Sequence, residues 1–314
     1  MLLIFAILLL IAGLVIMIYS AEKLVKGIVN VSFGFGVSAY LITAVFIGFD
    51  PENMAAGGAG AFQGLHGIAI GSILGAVMIP TALAFGITCL FIKLKFKKIS
   101  KPIVILPIIV TLLLLVVSLD GLISRIDAII LLVSFAVLVA YIFRLNRKGE
   151  DIKPAGEVKE YLEKKKISKW KAVVILVLAA IGIVLGSEML VEGAKPIINF
   201  LGIGETLFGM TIVAFLISIE ELAKQLPAAI KGRSDISYGN MSGSIFHFLL
   251  LNAGVIALIN PIVISKEILI FYFPVVIVTM VFISGLMLRK NIPRFAGIIL
   301  ILLYVAFILK GYLY

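Results

Sequence analysis

The sequence predicts an all-α membrane protein with ten transmembrane helices arranged as two inverted five-helix repeats. Its apolar composition, ten long apolar stretches and internal similarity between its halves together support this prediction. Of the 314 residues, 62% are hydrophobic and only 14% are charged, against about 45–50% and about 25% in soluble domains. These values exclude an ordinary globular protein and a disordered chain. The single cysteine, Cys89, excludes a disulfide framework and a cysteine-based metal site.

The ten predominantly apolar stretches are each long enough to cross a bilayer. They lie near residues 2–19, 36–58, 67–92, 102–119, 123–143, 172–190, 203–230, 236–259, 267–288 and 295–313. The first stretch lacks a positively charged flank and exceeds the apolar region of a signal peptide. We therefore expect it to remain as a transmembrane helix.

The distribution of cations predicts the orientation of these helices. Most of the 27 Lys and Arg residues fall in alternate loops, including Lys23 and Lys26 between the first two helices. By the positive-inside rule those loops face the cytoplasm, so we expect a multi-pass cell-membrane protein with both termini outside. The net charge of +10 is then explained by the Lys and Arg residues of the cytoplasmic loops. Because the cations form no single basic domain, no nucleic-acid partner is expected.

One long polar stretch, residues 144–171, divides the chain into two five-helix halves, 1–143 and 172–314. We interpret it as a cytoplasmic linker lying on the anionic leaflet. An ion-sensing regulatory loop is the alternative, although 28 residues are few for a folded sensor.

The two halves resemble each other in sequence. Residues 20–27 (SAEKLVKG) correspond to 186–193 (GSEMLVEG) at an offset of 166, and 68–76 (IAIGSILGA) correspond to 236–244 (ISYGNMSGS) at an offset of 168. Five helices are an odd number, so the second half must enter the membrane upside down. Inverted repeats of this kind are typical of secondary transporters, whose binding site lies at mid-membrane between the halves.

Each half carries carboxylates inside an apolar stretch: Asp50 and Glu52 in the first, Glu220 and Glu221 in the second. A carboxylate at the bilayer centre costs at least about 2.5–3.5 kcal/mol, so such residues usually face a functional cavity. The alternative is a helix-end carboxylate that reaches the interface, or a buried ion pair. Pro51 should break its helix and free backbone carbonyls. Carboxylates and carbonyls suit a hard cation such as calcium, which takes six to eight oxygen ligands.

Other polar residues are candidates for the same site. Ser218 and Gln225 would share the helical face of Glu221, and Asn240 and Ser72 lie inside Gly-x-x-x-Gly pairs that favour close helix packing.

Two basic residues near these acids have two interpretations each. Lys224, three residues after Glu221 and four after Glu220, either lowers the charge of the site or extends to the cytoplasmic interface. His247 either relays protons or packs between helices with a hydrogen bond to a carbonyl.

These motifs resemble the alpha-repeats of the calcium/cation antiporter superfamily, which includes sodium/calcium and proton/calcium exchangers. The second half reads LISIEE at 216–221 and GNMSGSIFHF at 239–248; the first reads DPE at 50–52 and GSILGAVMIP at 71–80. The family motifs are Gly-Thr-Ser-x-Pro-Glu and Gly-Asn-x-x-Gly-Ser-x-x-x-Asn. The resemblance implies Glu52 and Glu221 as the central pair of calcium ligands.

Several departures from the family motifs bear on the coupling ion. The Thr-Ser before Pro51 is missing, Glu220 replaces a proline, and Pro80 and Phe248 replace the two late asparagines. In sodium-coupled members the missing groups help to bind sodium. Their loss favours protons as the coupling ion, or another divalent cargo such as magnesium.

We therefore expect a secondary antiporter, not an enzyme, that exchanges calcium for sodium or protons by alternating access. The alternatives are a proton-coupled exchanger of another cation such as magnesium, and a membrane-embedded hydrolase using Asp50 with a second acid. No bound cofactor is expected, and no nucleotide, because the phosphate-binding Gly-rich loop with Lys-Ser or Lys-Thr is absent from the sequence. The expected partners are inorganic cations and the lipid bilayer, with a monomer as the expected state.

Overall fold

The computed structural model describes residues 2–34, 49–95, 101–146, 169–232, 234–289 and 291–313. These residues are nearly all helical. Among the described residues, nine helical spans are long and apolar enough to cross a membrane, with Glu205–Ile230 counted as one span. Of the predicted second span, 36–58, only the part from residue 49 is described.

The helices of the first half follow the predicted apolar stretches. They are α1 (Leu2–Gly34), α2 (Pro51–Phe62), α3 (His66–Met78, a π-helical turn Ile79–Ala84, then Phe85–Phe91), α4 (Lys101–Ser118) and α5 (Arg125–Asn146).

The described residues from 169 onward form six helices. They are α6 (Lys169–Leu201), α7 (Glu205–Phe208, Gly209–Val213 and Ala214–Ser218), α8 (Glu220–Ile230), α9 (Ser234–Phe246, a π-helical turn His247–Asn252, then Ala253–Ile259), α10 (Ile268–Tyr272 and Phe273–Leu288) and α11 (Phe295–Leu313).

Two predicted helix ends were wrong. The first helix does not end before Lys23 and Lys26, since α1 continues to Gly34 and contains both lysines. The helix accommodates these charges on its surface, because Lys26 pairs with Glu22 one turn earlier and Lys23 lies over the ring of Tyr19. Likewise α6 extends to Leu201 rather than ending near residue 190.

The centre of the molecule is formed by α3 and α9. In their most apolar stretches 83% and 78% of the residues are buried, against 22–33% in α1, α4, α5, α6 and α11. Helices α1 and α6 pack against each other along their lengths in opposite directions, with Gly13 against Gly186 and Leu190, and Leu10 against Gly193.

Four two-residue strands connect the loops. Strand β1 (Leu94–Lys95) pairs antiparallel with β4 (Asn291–Ile292), and β2 (Leu122–Ile123) pairs antiparallel with β3 (Ile262–Val263). Each pair joins a loop of the first half to a loop of the second half. The halves are therefore connected at two separate places outside the helices.

Candidate cation site

The start of α2 brings the first pair of predicted ligands into the interior. Asp50 is the N-cap residue of α2 and accepts a hydrogen bond from the Asn53 backbone nitrogen at 3.4 Å. Pro51 occupies the first turn, where its missing N–H costs nothing. The predicted break at Pro51 is thus the beginning of a helix. Glu52, in the same first turn, is 6% exposed.

The acids of the two halves approach each other at this point. The side chain of Glu52 lies within electrostatic range of Asp50 in its own half and of Glu220 in the other half. Asn53 donates its Nδ2 to Asp50 Oδ2 at 2.5 Å and to Ser218 Oγ at 2.9 Å. Asn53 therefore joins the start of α2 directly to the end of α7.

The second predicted pair of ligands lies across a break between two helices. Helix α7 ends at Ser218, Ile219 forms a turn, and α8 begins at Glu220. The expectation that Ser218 continues the helical face of Glu221 was therefore wrong, whereas Gln225 lies in α8 one turn after Glu221, as expected. Ser218 contacts α2 through Asn53, whereas the Gln225 Nε2 donates to the Pro80 carbonyl in the π-helical turn of α3 at 3.1 Å.

Glu221 is held by the next transmembrane helix. It is 1% exposed, and the Asn240 Nδ2 of α9 donates to its Oε2 at 2.5 Å. This hydrogen bond brings together two of the predicted ligands. A hydrogen bond from an uncharged amide can orient the carboxylate but brings no positive charge to it.

Ser72, another predicted ligand, makes its hydrogen bond within its own helix. Its hydroxyl donates to the Ala69 carbonyl of its own helix and lies 2.7 Å from where a Cβ on Gly57 would stand. The close helix packing predicted for the Gly-x-x-x-Gly pairs holds in the first half, where Gly71 and Gly75 contact the backbone of α7 at Thr206 and Met210. Gly239 has open space around it.

Two unsatisfied oxygens accompany the acids. Within the described residues, Asn53 Oδ1 and Gln225 Oε1 are buried and have no hydrogen-bond partner. Buried polar atoms normally have partners, and an amide oxygen is a ligand that hard cations accept. Across the described ranges no three His, Cys, Asp or Glu side chains converge on a metal position. Amide and backbone oxygens would therefore have to complete the coordination of a cation.

Of the two basic candidates, His247 and Lys224, the structure describes the side chain of His247 only. His247 is buried between the rings of Phe49 and Phe135, and its Nδ1 lies 2.9 Å from the Gly243 carbonyl. These contacts match the helix-packing interpretation. The side chain of Lys224 lies outside the described part of the chain, so its predicted influence on the charge stays a prediction.

Asn53 is a residue of this site that the sequence analysis missed. It is polar, lies inside an apolar stretch and directly follows Glu52. The rule that selected the acids would have selected it too, had it been applied to uncharged polar side chains.

Comparison with known proteins decides the family. The family model described as sodium/calcium exchanger protein matches residues 5–144 and 171–311. The chain belongs to the sodium/calcium exchanger family. Its members are transporters and not enzymes, so this protein is a multi-pass membrane cation exchanger. The hydrolase alternative is thereby excluded.

Individual relatives agree with this assignment. The inner membrane protein YrbG of Escherichia coli is 28% identical over 258 residues, which cover 81% of this chain and 79% of YrbG. The sodium/calcium exchanger MaX1 of Methanosarcina acetivorans is 32% identical over 139 residues, which cover 44% of this chain and 40% of MaX1. The solved structure of the sodium-calcium exchanger NCX_Mj has the same fold, with a TM-score of 0.60, 23% identity and coverage of 96% of this chain and 97% of that one.

Proposed function

We propose that this exchanger moves a divalent cation, with calcium as the first candidate, in exchange for sodium or protons. The observation that carries this proposal is the Glu221 carboxylate, which is almost fully buried and held by Asn240. Unpartnered amide oxygens of Asn53 and Gln225 accompany the acids. Together these groups supply the charge and oxygen ligands that a hard divalent ion requires.

Glu52 and Glu221 are the proposed central ligands, one from each half. Asp50, Glu220, Ser218, Asn240, Ser72 and Gln225 are proposed to complete or support the site. The sodium/calcium exchangers among the relatives favour calcium and sodium. The missing hydroxyls and amides of the alpha-repeats keep protons, and magnesium as cargo, as the alternative.

The proposal includes two inverted five-helix repeats, 1–143 and 172–314, joined by the linker 144–171. The parts of α9 support it, since each begins and ends 168 residues after the corresponding part of α3, including the π-helical turns Ile79–Ala84 and His247–Asn252. The strand pairing is reciprocal in the same sense. Strand β1 follows α3 and pairs with a strand between α10 and α11, and β3 follows α9 and pairs with a strand between α4 and α5.

Alternating access would then follow from competition for shared ligands. An ion bound between the two halves is exposed to one side at a time, and the acids must be refilled before the protein reorients. Two kinds of cation that need the same carboxylates would therefore move in opposite directions.

Ion flux into vesicles that contain only the purified protein tests this proposal. Gradients of calcium, magnesium and manganese are each combined with a sodium gradient or a pH gradient, without nucleotide. We expect calcium uptake driven by one of the two coupling gradients. Absence of divalent flux under every combination, in vesicles with correctly folded protein, would contradict the proposal.

A further inference from the structure

Asn252 is a buried amide for which the fold has no evident use. It lies at the end of the π-helical turn of α9, is 1% exposed, and neither its Oδ1 nor its Nδ2 has a hydrogen-bond partner in the described part of the chain. A native protein seldom leaves a buried amide unpaired at both ends. π-helical turns are frequent at functional sites because they displace side chains from the regular helix register.

The packing of α9 against α2 places Asn252 near the candidate site. The two helices run in the same direction, and three contacts set their register: the rings of His247 and Phe49, the side chain of Ile256 against Gly57, and the Asn260 Nδ2 donating to the Ala61 carbonyl. Asn252 lies one turn before Ile256, and Asn53 lies one turn before Gly57. This register therefore places Asn252 at the level of Asn53.

The two polar atoms of the Asn53 side chain differ in their hydrogen bonding. Its Nδ2 is used twice, toward Asp50 and Ser218, whereas its Oδ1 has no partner among the described residues. The two amides do not satisfy each other, although Asn252 has an unused donor. A small ligand between them would account for both unpaired oxygens.

We propose that Asn53 Oδ1 and Asn252 Oδ1 are ligands for a sodium ion, the coupling ion of this exchanger. The inference rests on the proposed function, in which the divalent ion takes the carboxylates and shares the Asn53 amide oxygen with the coupling ion. Two neutral oxygens bring no charge of their own, so they suit a singly charged hard cation better than a divalent one. A water ligand of the ion would accept the hydrogen bond from the Asn252 Nδ2.

This position explains why the two ions would exclude each other. Asn53 directly follows Glu52, so a sodium ion at its amide stands within about one helical turn, roughly 5 Å, of the carboxylates. At that distance inside a membrane protein, two cations repel each other strongly. Only the second half carries an asparagine at the end of its π-helical turn, because the residue 168 positions before Asn252 is Ala84.

Sodium-dependent thermal stability of the full-length protein tests the assignment. Sodium chloride is titrated against choline chloride at fixed pH and ionic strength without divalent ions, and the unfolding midpoint is recorded, since a ligand that binds the folded state raises it. Asn252→Ala introduces the residue that the first half already carries at this place. We expect it to raise the half-saturating sodium concentration on the order of tenfold, which corresponds to the loss of one ligand.

Asn260→Ala is the matched control, since it removes a hydrogen-bonded asparagine that directly follows the same helix. We expect it to lower the melting temperature at every sodium concentration without moving the half-saturating concentration. Asn252→Asp serves as a second variant, and we expect its added charge to lower that concentration. These opposite directions separate a ligand from a structural residue.

An unchanged sodium midpoint in Asn252→Ala, or no response to sodium in the unmodified protein, would overturn the inference. The first result would indicate a buried water only. A calcium titration of the same samples keeps the two proposals apart. Retained stabilisation by calcium without any response to sodium contradicts the sodium subsite alone, whereas absence of binding and flux for every divalent ion contradicts the proposed function.

Discussion

At the scale of single residues, the candidate site consists of acids held in place by neutral amides. Asn53 joins Asp50 to Ser218, and Asn240 joins α9 to Glu221. The acids could be predicted from the sequence because a carboxylate in an apolar stretch is costly. The amides that orient them are less conspicuous, since an uncharged side chain costs less and leaves a weaker signal.

Replacing Asn240 tests whether the amide positions the carboxylate. Because its Nδ2 donates to Glu221 Oε2, Asn240→Ala should leave that carboxylate less ordered and weaken divalent binding by about 1–3 kcal/mol. The divalent concentration that gives half-maximal flux in vesicles should rise correspondingly. Asn291→Ala, an exposed asparagine in β4, is the control, and an equal effect in both variants would contradict a positioning role for Asn240.

At the scale of elements, the start of α2 and the break between α7 and α8 create the site. Helix α2 begins at Pro51, and this was predictable because proline removes a backbone donor. The break at Ile219 was not predictable, since neither glycine nor proline stands there and the turn depends on tertiary packing. The end of α1 was not predictable either, because the helix continues through Lys23 and Lys26, which the sequence pattern assigned to a loop.

Replacing glycines of α3 and α9 by alanine should change the stability of the protein in different directions. A Cβ on Gly75 would lie 2.6 Å from the Met210 carbonyl oxygen, and one on Gly71 would lie 2.6 Å from the Thr206 carbonyl oxygen. Gly71→Ala and Gly75→Ala should therefore destabilise the protein by about 1–3 kcal/mol through overpacking. Thermal unfolding of the purified variants measures this effect.

Gly239→Ala is the matched control, because Gly239 corresponds to Gly71 in the proposed repeat but has open space around it. Alanine there should be neutral or stabilise the helix by up to about 1 kcal/mol. Equal destabilisation by all three substitutions would show that α3 does not depend on close contact with α7.

At the scale of the whole molecule, the alternation of cations and the strand pairing agree on which loops lie on the same side of the membrane. The charge pattern predicts one side of the membrane for the loops that contain β1 and β4, and the other side for those that contain β2 and β3. Each strand pairs only within its predicted side. Long apolar helices could be predicted because apolar length is a local property of the sequence, whereas the contacts between the halves are not local. The ten spans and the internal repeat stay predictions.

Labelling with a membrane-impermeant maleimide tests the predicted orientation. Leu119→Cys places an exposed thiol in the predicted outer loop between α4 and α5, and Ala155→Cys places one in the predicted cytoplasmic linker. The native Cys89 is buried and serves as the unlabelled background. In intact cells we expect labelling of Leu119→Cys only, with Ala155→Cys labelled after permeabilisation; the reverse pattern would contradict both termini being outside.

The central claim is that Glu52 and Glu221 jointly bind the transported divalent ion. Its most direct test is divalent flux by purified Glu52→Gln and Glu221→Gln in vesicles, with Glu267→Gln, an exposed acid at the start of α10, as control. Because glutamine removes the charge and keeps the volume, we expect both site variants to fold and to lose flux at least a hundredfold, a barrier change of about 2.7 kcal/mol. Flux at the unmodified rate in either site variant would contradict the claim.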